Sequence, residues 1–250
     1  MKISVIIPTL NEAATLAKCL PARSKDVEVI VVDGVSCDGT TEVAAAEGCK
    51  VCVSAPGRAR QMNAGAKIAS GEIFLFLHAD TRLPEDWPVY VHRTLSEPGI
   101  VAGAFRLKMD APMRGLRMIE RMANWRSACW QLPFGDQAIF LRADAFRAVG
   151  GFPEVPIMED VELIRRLRKQ GRIGIAPVPV VTSARRWVKK GVWKTTLLNQ
   201  AYLAAYYLGV PPSRIHDWYY GGNGSRVRRK EQTHKAEPVA SSGWSPRHGS

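Results

Sequence analysis

Apolar, β-branched runs alternate with segments of helical period through the first hundred residues, the pattern of βαβ units feeding a largely parallel sheet. The runs predict strands at 3–7, 27–32, 51–53, 73–77 and 100–107, and the intervening segments predict helices at 13–20, 40–47, 59–69 and 85–95. Asn11 before Glu12, and Pro84 at a first helical position before Glu85 and Asp86, read as helix starts. Beyond Asp110 the pattern predicts a long helix over 113–129, a Pro/Gly loop over 131–136, a helix over 159–169, a Pro-rich loop at Pro177 and Pro179, and a last helix over 192–208. The expected organisation is one α/β domain over 1–223, whose pattern changes between a first half (1–110) and a second (111–223), and a basic, disordered tail (224–250).

Composition changes this picture little. With 46% hydrophobic and 23% charged residues, the 250-residue chain is globular by composition, and its longest apolar stretches fall far short of the ~20 residues that cross a bilayer. The opening residues read as a first strand and not a leader, and five scattered cysteines fit reduced thiols, so a cytoplasmic location is expected. Cys49 and Cys52 form a lone CxxC, but on a strand their side chains point to opposite faces. The net charge of +12 points to an anionic partner. Residues 224–250 hold six basic against two acidic residues, which leaves +8 for the body.

In open parallel sheets, ligands bind at the carboxyl ends of the strands, so the residues after each run are the candidates. Neither GxGxxG nor GxxxxGK[ST] occurs, which disfavours a dinucleotide site and a P-loop. Asp33 closes a strand and either accepts hydrogen bonds from a base or ribose or caps a turn. His78 and Asp80 follow the strongest strand, where Asp80 offers a hard oxygen ligand for Mg²⁺ or Mn²⁺ beside a diphosphate. Glu159 and Asp160 open a helix whose Val161, Ile164 and Leu167 face inward; they stabilise the helix start, or one of them acts as a general base. Arg185 and Arg186 could clamp a diphosphate and Trp187 could stack on a sugar.

Together these segments resemble the family 2 glycosyltransferases with the GT-A fold, over roughly residues 2–208, which implies a nucleotide-sugar-binding half over 1–110 and an acceptor-side half over 111–223. Ser4 through Glu12 resembles that family's first strand and nucleotide loop, and Val31 through Thr40 its second. The resemblance implies that Pro8, Glu12 and Asp33 hold the nucleoside with Arg60 and Asn63 flanking it. His78-Ala79-Asp80 takes the DxD position, with His78 in place of the first Asp and Asp80 as metal residue. Gly135-Asp136-Gln137 resembles the acceptor-side loop, Glu159-Asp160 the ED pair with Asp160 as base, and Ser183 through Trp187 a QxxRW segment in which Ser replaces Gln. The overall pattern is most similar to a small bacterial subgroup named for association with radical-SAM and selenium-related genes.

The activity implied by this resemblance is that of an inverting, metal-dependent hexosyltransferase with a nucleotide-diphospho-sugar donor, a UDP-sugar first, and a small-molecule or lipid-linked acceptor. Two rivals are a sugar nucleotidyltransferase, disfavoured by the absence of glycine in Thr9-Leu10-Asn11-Glu12, and a basic nucleic-acid-binding protein, which leaves the carboxylates unexplained. Trp193, Leu197, Leu198, Tyr202, Leu203, Tyr206, Tyr207 and Leu208, preceded by Lys189, Lys190 and Lys194, belong either to core or subunit contact or to an anionic lipid surface.

Overall fold

A computed structural model describes residues 1–221; the basic segment expected to be disordered lies outside the described residues. The elements run β1 (Ile3–Thr9), α1 (Ala13–Cys19), β2 (Val27–Asp33), α2 (Thr40–Ala46), β3 (Lys50–Val53), α3 (Arg58–Ile68), β4 (Ile73–Phe76), β5 (Thr81–Arg82), α4 (Trp87–Ser96) and β6 (Ile100–Met109). They continue with α5 (Arg114–Trp130), a 3-10 turn (Gly135–Gln137), β7 (Phe140–Arg142), α6 (Ala143–Ala148), α7 (Glu159–Leu167), β8 (Arg172–Thr182), α8 (Arg185–Lys190), α9 (Val192–Tyr207) and α10 (Pro212–Tyr220).

The strands form one eight-stranded sheet in the order β3-β2-β1-β4-β7-β6-β8-β5. Only β7 and β5 run against the rest, since β4–β7, β6–β7 and β5–β8 are the antiparallel pairs. The expected α/β fold with a mostly parallel sheet flanked by helices is observed. Strand period 2 divides the core between the two faces. Ile6, Ile30, Val32, Phe74 and Phe76 pack with α3, α6 and α7. Val5, Ile7, Val29, Val31 and Leu75 pack with α1, α2 and α4 on the other face. Cys52 joins the first cluster and Cys49 the second, so the CxxC pair straddles the sheet as expected.

Three local expectations need correction. The Pro-rich stretch is not a loop but β8, paired in parallel with β6. A register shift that sets Phe105 opposite Ala176 and Arg106 opposite Pro179 puts Pro177 and Val178 in a bulge, where a missing N–H costs no ladder bond. Helix α4 begins at Trp87 and not at 85, because Asp86 adopts a left-handed φ of 53°. Asn11 does not cap α1: its Oδ1 accepts from the Cys37 N–H at 3.0 Å, while its own N–H donates to Ser36 Oγ at 2.8 Å, locking the loops after β1 and β2 together.

Candidate functional site

The carboxyl ends of β1, β2 and β4 meet the start of α8 and the 3-10 turn, and two charge systems form on either side of His78-Ala79-Asp80. The first gathers because β5 pairs with the end of β8, Thr81 opposite Thr182, and the Ser183 N–H donates to the Asp80 carbonyl at 3.1 Å. That pairing carries Arg185 to Asp80, where Nη2 lies 3.5 Å from Oδ2, and the same nitrogen donates a short hydrogen bond to Glu12 Oε1. Glu12 also accepts from Thr15 Oγ1 at 2.7 Å. Burial pushes the Asp80 carboxyl above its ordinary range; Arg185 pulls it back and Glu12 pushes it further up.

The second system is acidic. The Gly135 N–H donates to Asp160 Oδ2 at 2.7 Å. A Cβ at Gly135 would meet His78 Nε2 at 2.9 Å and Asp160 Oδ2 at 3.4 Å, so the imidazole and the carboxylate both close on this glycine. Burial, reinforced by the Arg58 guanidinium, holds His78 down at about 3, which keeps it neutral near pH 7. Glu159 is buried and lies 4.0 Å from the half-exposed Arg58, while burial and the Asp160 charge push its carboxyl upward.

Asp136 is pushed up to about 6 by burial, against the pull of Arg126, and its Oδ1 is buried with no hydrogen-bond partner. An ionised oxygen so placed forfeits hydration, which costs stability. Because the ordinary value is 3.8, the native state binds more protons than the unfolded chain between about pH 4 and 6. Asp136 therefore lowers stability as pH rises through that window. Asp136→Asn is expected to raise the thermal midpoint at pH 8 by about 2–4 °C per kcal/mol recovered and to leave it nearly unchanged at about pH 4; equal shifts at both pH values would contradict the assignment.

The other candidate residues separate. Asp33 is 2% exposed, and its oxygens accept from the Ser36 N–H, Ser36 Oγ and Thr9 Oγ1, so it holds the turn after β2. Pro8 sits beside it, opposite Val32. Arg60 pairs with Glu154 at 3.4 Å in solvent. The Asn63 amide is wholly engaged by the Phe152 backbone, donating to its carbonyl at 2.8 Å and accepting from its N–H at 3.0 Å. Arg186 lies over the Tyr219 ring at 4.1 Å and donates toward Asn199 Oδ1 at 3.5 Å. The Trp187 indole N–H is buried without a partner.

Four residues not singled out by the sequence shape the site. Gln61 donates to the carbonyls of Thr9 and Val32 at 2.7 and 2.8 Å, tying the ends of β1 and β2. Gln137, fully buried, donates to the Phe105 carbonyl at 2.9 Å and fixes the turn that presents Gly135 and Asp136. Arg126 stacks on Phe134 at 3.5 Å, and Arg58 faces Glu159. The sequence hinted at them only through the place of Gln137 beside Asp136 and of Arg58 and Gln61 beside Arg60.

Asp80 suits a hard cation: it is a carboxylate that keeps 23% of its side chain exposed. Among the described residues no group of three or more His, Cys, Asp or Glu could hold a metal ion alone, so a cation at Asp80 would take its remaining oxygens from a diphosphate and water.

Comparison with known proteins places these features in context. The family described as Glycosyl transferase family 2 matches residues 4–149, which takes in Asp80 and Asp136 but stops before Asp160 and Arg185. Glycosyltransferase AglE of Haloferax volcanii is 28% identical over 170 residues, covering 60% of this chain and 56% of that protein. A PGL/p-HBAD biosynthesis glycosyltransferase of Mycobacterium tuberculosis is 38% identical over 178 residues, covering 60% and 62%. The chain thus spans about three fifths of the length of these relatives. Among solved structures, the mannosyltransferase PcManGT from Pyrobaculum calidifontis, in complex with GDP-Man and Mn²⁺, superposes with a TM-score of 0.62 at 19% identity, covering 95% of this chain and 76% of that one. S. aureus TarS 1-349 in complex with UDP-GlcNAc gives 0.53 at 20% identity, covering 73% and 58%. At such identities the likeness is one of fold.

Proposed function

The chain belongs to glycosyl transferase family 2, and from that premise we propose that it moves a sugar from a nucleotide-diphospho-sugar to an acceptor hydroxyl in one inverting displacement. The observation that carries this reading is the division of charge about His78-Ala79-Asp80. A cation-ready carboxylate and a guanidinium, Asp80 and Arg185, stand on one side, and a carboxylate aimed by a backbone N–H, Asp160, stands on the other. Membership of this family leaves the nucleotidyltransferase and nucleic-acid readings without support.

Donor binding falls to the loops after β1, β2 and β4, with Pro8 and Asp33 shaping the nucleoside end. Arg185, held between Glu12 and Asp80, exchanges one carboxylate for a diphosphate oxygen and stabilises the charge that grows on the leaving group. Asp80 would hold Mg²⁺ or Mn²⁺, and a cation there would neutralise part of that charge. Asp160, oriented by the Gly135 N–H, takes the proton from the acceptor hydroxyl as its oxygen attacks the anomeric carbon from the face opposite the diphosphate. Neutral His78 adds no competing positive charge beside that base.

A thermal-shift panel of UDP-, GDP- and TDP-sugars, each with and without Mn²⁺, tests the reading, because a ligand that binds only the folded state raises the midpoint by mass action. At least one nucleotide-sugar, a UDP-sugar being the first to examine, is expected to raise the midpoint, and more so with Mn²⁺. No shift across the whole panel would overturn the donor class.

A further inference from the structure

Helix α9 carries no acidic residue and is apolar on almost every side, yet only Val192 and Thr195 are buried. Leu203 and Tyr206 pack partly against the core. Trp193, Leu197, Leu198 and Leu208 are 57, 69, 41 and 85% exposed. Helix α5 runs beside it: a Cβ at Gly115 would come within 3.0 Å of Val192 Cγ1. At the other end Trp130, Leu203 and Tyr207 line a groove of about 510 Å³ between the two helices. Helix α5 adds exposed Met122, Trp125 and Trp130, the two indoles meeting edge to face at 5.1 Å. Single exposed apolar residues are ordinary, but two adjacent helices that both present aromatic and aliphatic side chains form a patch that soluble monomers seldom leave bare.

Charge identifies what covers it. Helices α5, α8 and α9 carry nine basic residues, including Arg121, Lys189, Lys190 and Lys194, against one acid, Glu120, which is buried and paired with Arg117 at 2.9 Å. A second copy docked face to face would oppose like charges. Residues 222–250 carry a net charge of +4 and would be repelled in the same way. An anionic lipid surface satisfies both features, taking the apolar side chains into its interface and the cations among its headgroups. No described helix is long and apolar enough to cross a membrane, which leaves the surface mode of contact.

We propose that the α5–α8–α9 face docks peripherally on an anionic bilayer. Trp193, Leu197, Leu198 and Leu208 enter the interface, and Lys189, Lys190 and Lys194 contact the headgroups. Arg126 lines the groove on this face and also stacks on Phe134, two residues before Asp136, so docking sets the acceptor side of the cleft next to the lipid plane.

The test is flotation of the full chain with vesicles of phosphatidylcholine alone and of phosphatidylcholine with phosphatidylglycerol at about 7:3. The chain is expected to float with the anionic vesicles only, less so as salt rises. Leu197→Ser/Leu198→Ser and, separately, Lys189→Glu/Lys190→Glu/Lys194→Glu should each weaken binding at least tenfold. All five side chains lie away from the Asp80 and Asp160 groups, so nucleotide-sugar binding should persist in both variants. Equal binding to neutral vesicles, no binding to either, or variants that float like the parent would overturn the proposal. So would a concentration-dependent dimer abolished by the leucine substitutions. Donor binding lost in the parent protein as well would count against the proposed activity and not against docking.

Discussion

Asp160→Asn should lower turnover by roughly 10²- to 10⁴-fold, about 3–5 kcal/mol of barrier, while nucleotide-sugar affinity stays within a few fold. Asparagine keeps the volume, and its amide oxygen can still accept the Gly135 N–H that Asp160 Oδ2 accepts at 2.7 Å, at the cost of the weaker contact in which Oδ1 accepts from the Val161 N–H at 2.8 Å. What it loses is the ability to take up a proton near neutral pH. On the proposed roles, the mutation therefore separates proton removal from donor binding, which is assigned to Asp80 and Arg185. Steady-state rates with donor calorimetry decide the outcome. A lower thermal midpoint with normal turnover would assign Asp160 to the helix start, and normal turnover with normal stability would move the base to another acid, Asp136 first.

The second large effect is expected at Asp80. Asp80→Asn should abolish Mn²⁺-stimulated turnover and weaken cation binding in the presence of nucleotide by more than the roughly 10- to 100-fold that losing a partner of a metal ligand costs. The loss of charge should not unfold the protein: burial already disfavours the ionised form there, and Arg185 keeps its bond to Glu12. Titration of Mn²⁺ into the enzyme–nucleotide mixture, followed by turnover across a range of Mn²⁺ concentrations, provides the readout. An unchanged Mn²⁺ dependence would remove Asp80 from any cation site.

Strands β1, β2 and β4 and helices α1 to α4 were legible because buried parallel strands read as unbroken apolar runs set between helix-period segments, whereas the two residues of β5 form no such run. The place of Asp160 in the first turn of α7 was legible for the same kind of reason, since Val161, Ile164 and Leu167 fix the phase of that helix, whereas its proposed role as base came from the family resemblance. Strand β8 was hidden by Pro177 and Pro179, which argue against a strand until the bulge opposite Phe105 and Arg106 is seen. With β8 hidden, the meeting of Arg185 and Asp80 was hidden too, because only the β5–β8 pairing makes neighbours of them. Asn63 shows the opposite limit. Its motif position suggested a flank to the nucleoside, yet the turn through Gly150 and Gly151, with φ of 79° and 69°, swings the Phe152 backbone onto its amide. Such contacts depend on a loop path that periodicity does not encode.

The pairing of β5 with β8 also orders events in time. Strands β1 to β4 are complete by Phe76, and helices α1 to α3 can cover them as soon as they are made. The guanidinium for Asp80 arrives only at Arg185, through a two-residue pairing that closes a loop of about a hundred residues, Thr81 to Thr182. Contacts of such sequence separation form late because the entropy of loop closure must be met before they return any stability. Glu12 and Asp80 are therefore expected to lack their shared cation until β8 has docked, so on the proposed roles the growing chain gains its donor clamp only then. A chain stalled before that point is expected to be unable to sequester nucleotide-sugar.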